Sequence, residues 1–312
     1  MKNWIFQKQD EDVAKSLQSF IPEKVFDVHA HIYRVVDLHL ATAHLLTEHV
    51  AEVSIDVWRE QQERQLGTGK MAGGLFFPIP VITADVDRQN RYLLQQLEHH
   101  PDSRGLVLVR PKDARQKVEK YFNHKQMIGL KVYHIYSSEK PTWQSSITSF
   151  APEWMWQLVH EQEGIIMLHM VKSRAVSDVS NQLEIRELCE KYPNVKLILA
   201  HCARAFHAKD AKGASALRGL ENIWFDVSGI CEAEPIEQLL YEFGPRKMMW
   251  GSDFPISETR GRSVTLGDGF TWLQSDTLHQ DKACAHAQPI LVGLESVRAL
   301  QRAAESFGLH RE

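Results

Sequence analysis

The chain has 312 residues, 43% hydrophobic and 24% charged, with 17 Gly and 12 Pro; this excludes a low-complexity or fibrous protein and leaves ample apolar side chain for a large core. A formal net charge of -4 offers no basic surplus for holding nucleic acid or an anionic membrane. No run is long and apolar enough to span a bilayer, and the N-terminus lacks the apolar core of a signal peptide. Cys189, Cys202, Cys231 and Cys284 are scattered without a Cys-x-x-Cys pair, so the chain reads as a cytoplasmic protein with reduced thiols.

An amphipathic pattern over 4–20 predicts a helix within an N-terminal lead-in, residues 1–23, broken at Pro22. The first strand is Lys24–His31. A connection rich in Glu, Gln and Arg then runs to residue 72, helical in parts. Its closing Thr68-Gly69-Lys70 lacks the spacing of a phosphate loop and reads as a turn. Further strands are expected at Gly74–Val81, Gly105–Val109, Ile128–His134, Ile165–His169, Val195–His201, Asn222–Val227 and Lys247–Asp253. Helices are expected between them near 84–99, 113–123, 152–163, 178–191, 205–220 and 235–242. A Gly-rich loop over 254–289 and a closing helix over 290–306 complete the chain, with Arg260–Phe270 suited to a lid.

Near-continuous apolar runs are what parallel strands covered on both faces should show. Eight of them alternating with helices predict an α/β fold, a (β/α)8 TIM barrel, as a single domain over 1–312. A doubly wound open sheet is the alternative, but no Gly-x-Gly-x-x-Gly follows the first strand.

In such a barrel the active site lies where strands end. Side chains alternate along a strand, so His29 and His31 share a face, about 6–7 Å apart. The fifth strand ends in His169, the sixth in His201 and the eighth in Asp253. Each residue alone reads equally well as a polar strand cap. Four imidazoles and a carboxylate on four strands of one rim suit zinc or a similar divalent metal. On the fourth strand, Ile128, Leu130 and Val132 should face the helices and send Lys131 and Tyr133 into the barrel. Asp27 shares the parity of His29 and reads either as support for it or as a strand-start carboxylate paired with backbone. Arg34, Arg110, Lys172, Arg174 and Arg204 follow strand ends, where they are either a solvated rim or contacts for an acidic substrate. Trp143, Trp154 and Trp156 are expected to pack in the loop and helix layers, and His134 to sit at the rim.

His29-x-His31, the later His169 and His201, and Gly251-Ser252-Asp253-Phe254-Pro255 resemble the amidohydrolase superfamily, in particular its second, largely mononuclear family of hydrolases, lactonases and decarboxylases. The likeness covers the chain from 25 to 253. It implies that His29, His31, His169 and Asp253 bind one divalent metal, zinc first and manganese second. It also implies that Asp253 and His201 are catalytic, with His201 polarising water or substrate and moving protons. Lys131, Tyr133, Arg34 and Arg204 are then candidates for contact with substrate or a second metal. For Lys131, a free amine is favoured over a carboxylated bridge between two ions.

The expected activity is metal-dependent hydrolysis of a C–O (lactone) or C–N bond in a small, carboxylated molecule. The alternatives are decarboxylation or hydration of an unsaturated acid, and a barrel that binds metal or metabolite without turnover. Ile32-Tyr33-Arg34 stands where many family decarboxylases carry a proline, which favours hydrolysis. The implied partner is a small-molecule substrate, with no nucleic acid and no membrane; an oligomer is open.

Overall fold

The computed structural model describes residues 4–41, 44–275 and 287–309. Its main sheet is built from β1 (Val25–Arg34), β2 (Glu52–Val53), β3 (Met71–Pro78), β4 (Arg104–Leu108), β5 (Met127–Val132), β6 (Ile165–Leu168), β7 (Lys196–Leu199), β8 (Ile223–Asp226) and β9 (Met248–Met249). The order is β2-β1-β3-β4-β5-β6-β7-β8-β9. β2 pairs antiparallel with the end of β1, and every other neighbour is parallel. Past β9 the chain runs along β1: Val28 N–H donates to Trp250 O (3.2 Å), Asp253 N–H to His29 O (2.7 Å) and His31 N–H to Phe254 O (2.8 Å). That pairing closes β1 and β3–β9 into the expected (β/α)8 barrel. The eighth strand is short because Trp250–Phe254 bonds mostly to β1 and not to β8.

The long crossover helices form where polar and apolar residues alternate at helical spacing, and polar side chains cap several of them. Ser54 caps Ile55–Leu66, Asp85 caps Val86–Glu98 and Asp178 caps Val179–Lys191. The lead-in helix is Lys8–Leu17 and the closing helix Val292–Ser306. The helix expected over 205–220 is only a turn, Ala208–Ala211, continued as 3-10 helix to Leu217. The 254–289 stretch is not an open loop. Gly261–Leu266 and Gly269–Gln274 pair as an antiparallel hairpin, β10 and β11, with Gly267 at φ 58° in its two-residue turn. Phe270 stacks on Phe206 at 4.5 Å, which gives the hairpin an anchor. Cys284 and the part of this stretch over 276–286 lie outside the described residues.

Alternation along the strands divides the core. Leu75, Phe77, Leu106, Met167, Ile198 and Ala200 fill the barrel, while Leu130, Val132, Leu168, Leu199 and Phe225 pack under the helices. Two bulges break the expected parity. Between Asp27 and Ala30, β1 takes three steps against two in β3. Asp27 therefore faces Trp58 on the helical side and not the face of His29. Between Met127 and Gly129, β5 takes an extra step against β4, so Ile128 joins the barrel interior and not the helix layer. Leu130 and Val132 lie on the helical side as expected.

Candidate metal centre

The expected residues converge at the C-terminal mouth. His29 Nε2 and His31 Nε2 each stand 3.3 Å from Asp253 Oδ1. Donor atoms of His29, His201 and Asp253 all lie within 4.8 Å of one another. His169 packs against His201, ring centroids 5.2 Å apart, and its Nε2 is 3.5 Å from the Tyr133 hydroxyl. All of these groups, with Lys131, line one cavity of about 380 Å3.

Every one of the four imidazoles has its Nδ1 against an acceptor. His29 meets Asp226 Oδ2 (3.0 Å), His31 meets Pro78 O (3.3 Å), His169 meets Met170 O (3.1 Å) and His201 meets Ser228 O (2.9 Å). A carbonyl or carboxylate can only accept, so the proton sits on Nδ1 and leaves each Nε2 with its lone pair free. This is how metal-binding histidines are held, and the N and O donor set suits a divalent transition ion.

Electrostatics keep those lone pairs available. Burial, with help from the Lys131 ammonium, pushes His29 down to about 3 against the pull of Asp226. Burial also lowers His31, and it holds His169 well below the usual imidazole value. Burial would raise Asp253, but His201, His29 and His31 more than offset it and leave the carboxyl at about 2. Asp226 is lowered in the same way, burial being outweighed by His29. Neutral rings at His29, His31 and His169 therefore coexist with ionised Asp226 and Asp253 at neutral pH.

His201 reaches the site by an unexpected route. Ala200 already points into the barrel, so strict alternation would turn His201 outward. Instead His201, Cys202, Ala203 and Arg204 all adopt left-handed backbone, φ 52–57°, which swings the imidazole back over the mouth. Such a run costs roughly 1–2 kcal/mol per residue. Asp226 Oδ1 helps to hold it by accepting His201 N–H at 3.1 Å. Gly251 serves a different fit: a Cβ there would lie 2.7 Å from His29 Cβ.

Lys131 is fully buried, its Nζ 3.4 Å from His29 Nε2 and 4.7 Å above the Phe77 ring. Burial pushes its ammonium down to about 8. Tyr133 is held protonated, pushed up to about 12 by burial. Asp27 does support the site, but through backbone: it accepts from His29 N–H and Ser252 N–H, both 2.9 Å, and from Trp58 Nε1 at 2.8 Å.

The basic rim divides sharply. Arg34 lies outside the cavity, paired with buried Asp37 at 2.7 Å and set over Tyr92. Asp37 is shared with Arg88, whose Nε stands 3.0 Å from its Oδ1, and Arg34 is not brought to the expected ligands. Arg110 pairs with Asp113, Lys172 with Asp178 and Arg174 with Asp210. Arg204 has no carboxylate partner among the described residues. Its Nη1 donates to Lys172 O at 2.8 Å, and its charge reaches Tyr133, His134 and His169. His134 stacks on Tyr133 at the rim. Trp156 is buried and Trp154 packs on the core, as expected, whereas Trp143 is half exposed.

Asp226 and Ser228 went unread in the sequence. Asp226 ends Ile223-Trp224-Phe225-Asp226 as His169 ends its own strand, so the signal was present. Ser228 carries none, since a serine in a loop is ordinary.

A family model described as amidohydrolase matches residues 26–281. No protein of curated function matches by sequence. Among solved structures, the chain is similar to a probable 2-pyrone-4,6-dicarboxylic acid hydrolase from Acinetobacter baumannii with citric acid bound. That match has 13% identity over 92% of this chain and 94% of that one, TM-score 0.58. It is also similar to an amidohydrolase 2 from Bifidobacterium longum subsp. infantis, at 17% identity over 76% and 86%, TM-score 0.53. A dihydroxybenzoic acid decarboxylase from Polaromonas sp. JS666, with bound manganese and 2-nitroresorcinol, matches at 14% identity over 75% and 87%, TM-score 0.51. At these identities the likeness is one of fold.

Proposed function

Because this chain belongs to the amidohydrolase family, we propose that it is a metal-dependent hydrolase acting on a lactone C–O or an amide-type C–N bond of a small carboxylated molecule. One observation carries the reading: four imidazoles in a single cavity each have Nδ1 tied to an acceptor, beside a carboxylate that two of them already reach. His29, His31, His169 and Asp253 would hold one divalent ion, zinc first and manganese second. Bound there, the ion supplies Lewis acidity toward water or a carbonyl.

The chain's own groups do the rest. Asp253, ionised at neutral pH, accepts the proton from attacking water. His201, with Nδ1 donating to Ser228 O, presents Nε2 to receive a proton or pass it to the leaving group. The Tyr133 hydroxyl is positioned to donate to a developing oxyanion. Arg204, half-buried and without a carboxylate partner among the described residues, is the group best suited to a substrate carboxylate. Free, buried Cys189, Cys202 and Cys231 support a cytoplasmic setting.

A second reading, decarboxylation, is favoured by the outer wall of the cavity, where Leu45, Leu46, Ile79, Val81 and Ile82 offer apolar surface to an aromatic acid. Metal-loaded protein presented with lactones, amides and unsaturated or aromatic carboxylic acids separates the two. Ring opening or amide cleavage without CO2 supports hydrolysis. CO2 release with no hydrolytic product would replace it.

A further inference from the structure

We propose that Asp226 is a positioning residue that sets His29 and His201 in one mutual arrangement. The inference rests on His29 being a metal ligand. Asp226 is fully buried at the end of β8, and its two oxygens serve different histidines. Oδ2 accepts from His29 Nδ1 at 3.0 Å and so dictates which ring nitrogen keeps a lone pair. Oδ1 accepts from His201 N–H and from Ser228 N–H, each at 3.1 Å, and from the Ser228 hydroxyl.

Ser228 extends the reach of that second oxygen. Its carbonyl takes the His201 Nδ1 proton at 2.9 Å, and its hydroxyl oxygen lies 2.9 Å from the same nitrogen. The left-handed backbone at His201 is thus clamped from both ends by groups that Asp226 orients. His29 lies on β1 and His201 in the turn just past β7, far apart along the chain, yet their rings sit 4.9 Å apart. No described side chain other than Asp226 and Ser228 is hydrogen-bonded to both residues, and Ser228 is itself held by Asp226. A buried carboxylate that accepted from one imidazole alone would leave an oxygen to satisfy elsewhere. Here both oxygens are used, one for each histidine.

Asp226→Asn tests this, because asparagine keeps an oxygen for the His201 side but turns an NH2 toward His29 Nδ1. The His29 proton must then move to Nε2, the atom a metal needs. Chelator-competition titration with zinc should show affinity reduced about 10–100-fold. Histidine 15N spectra of the zinc-free protein should show His29 protonated on Nδ1 in the wild type and on Nε2 in the variant. Ser228→Ala should change the His201 signals while zinc affinity stays within about threefold, because the His29 contact is intact. Wild-type zinc affinity in Asp226→Asn, or a wild-type His29 protonated on Nε2, overturns the proposal. If Asp226→Asn does not fold, the wild-type spectrum decides. A wild type that binds no zinc refutes the metal reading instead, and the spectrum still decides this one.

Discussion

Lys131 Nζ lies 3.4 Å from His29 Nε2, the same nitrogen that stands 3.3 Å from Asp253 Oδ1. The amine is packed over Phe77 and enclosed. A carboxylated lysine would need room for a second ion about 3.5–4 Å from the first. Anomalous diffraction from metal-loaded crystals should show one ion per chain and an unmodified Nζ. Two bridged ions would make Lys131 a ligand and end the mononuclear reading.

Removing a ligand should remove the metal. Purified wild-type protein is expected to carry about one divalent ion per chain. His29→Ala and Asp253→Ala should each lose most of it, as read by elemental analysis after dialysis. Full occupancy with full activity in both variants would sink the site assignment.

His201 should behave differently. As a proton carrier it contributes about 10²–10⁴-fold to the rate. His201→Asn is expected to keep most of its metal while kcat falls by that factor and a limb of its pH profile is lost or shifted. An empty variant would make His201 a ligand, in keeping with its proximity to His29 and Asp253. A filled, fast variant would make it a strand cap.

The metal-free protein should be acid-labile. His29 is depressed to about 3 from 6.5, and His31 and His169 are depressed as well. As pH falls below 6.5 the unfolded chain takes up these protons and the folded chain does not. Stability from these rings is therefore full above about 6.5 and is lost on acidification, by about 1.4 kcal/mol per pH unit for each ring that stays neutral. Asp27, raised to about 6, and Glu258, raised to about 7, both by burial, titrate in the opposite sense and offset one proton each, between 3.8 and 6 and between 4.5 and 7. Thermal denaturation of apo protein from pH 7.5 to 5 should show Tm falling, more gently in His169→Gln. A flat or rising Tm contradicts this.

Gly251→Ala probes close packing against a proposed ligand. The new Cβ would meet His29 Cβ at 2.7 Å and His29 N at 3.2 Å, atoms fixed in the β1 backbone and not the end of a flexible side chain. A cost of about 1–3 kcal/mol is expected, with weaker metal binding. Unchanged melting and unchanged metal affinity together would show that β1 and the Trp250–Phe254 segment can part freely.

Eight apolar runs, and polar residues at their ends, made the barrel and most of its mouth legible before any coordinates. Period-two reasoning works while a strand is regular. It failed at Asp27 and Ile128, where an inserted residue reverses the parity, and nothing in Asp27-Val28-His29 announces a bulge. Its place at a strand end put His201 at the mouth, but the left-handed turn that aims it is formed by ordinary residues and left no mark in the sequence. The hairpin at 261–274 was missed because its glycines read equally as turn and as loop. Arg34 shows the remaining limit: charge can be read from sequence, but the carboxylate it shares with Arg88 cannot.

The pairing that closes the barrel has a further consequence for folding. It joins the first strand to the last: Ser252 donates to Asp27 across 225 residues of chain, and His29 and Asp253 face each other over the same seam. An ion held by His29, His31 and Asp253 would act there as a rivet, and in the chain-entropy treatment of cross-links a loop of that size is worth on the order of 5 kcal/mol. The amides of His31 and Asp253, which bond across the seam, should then be among those whose hydrogen exchange slows most on metal binding. The chemistry of the mouth and the closure of the barrel would be two readings of one set of bonds.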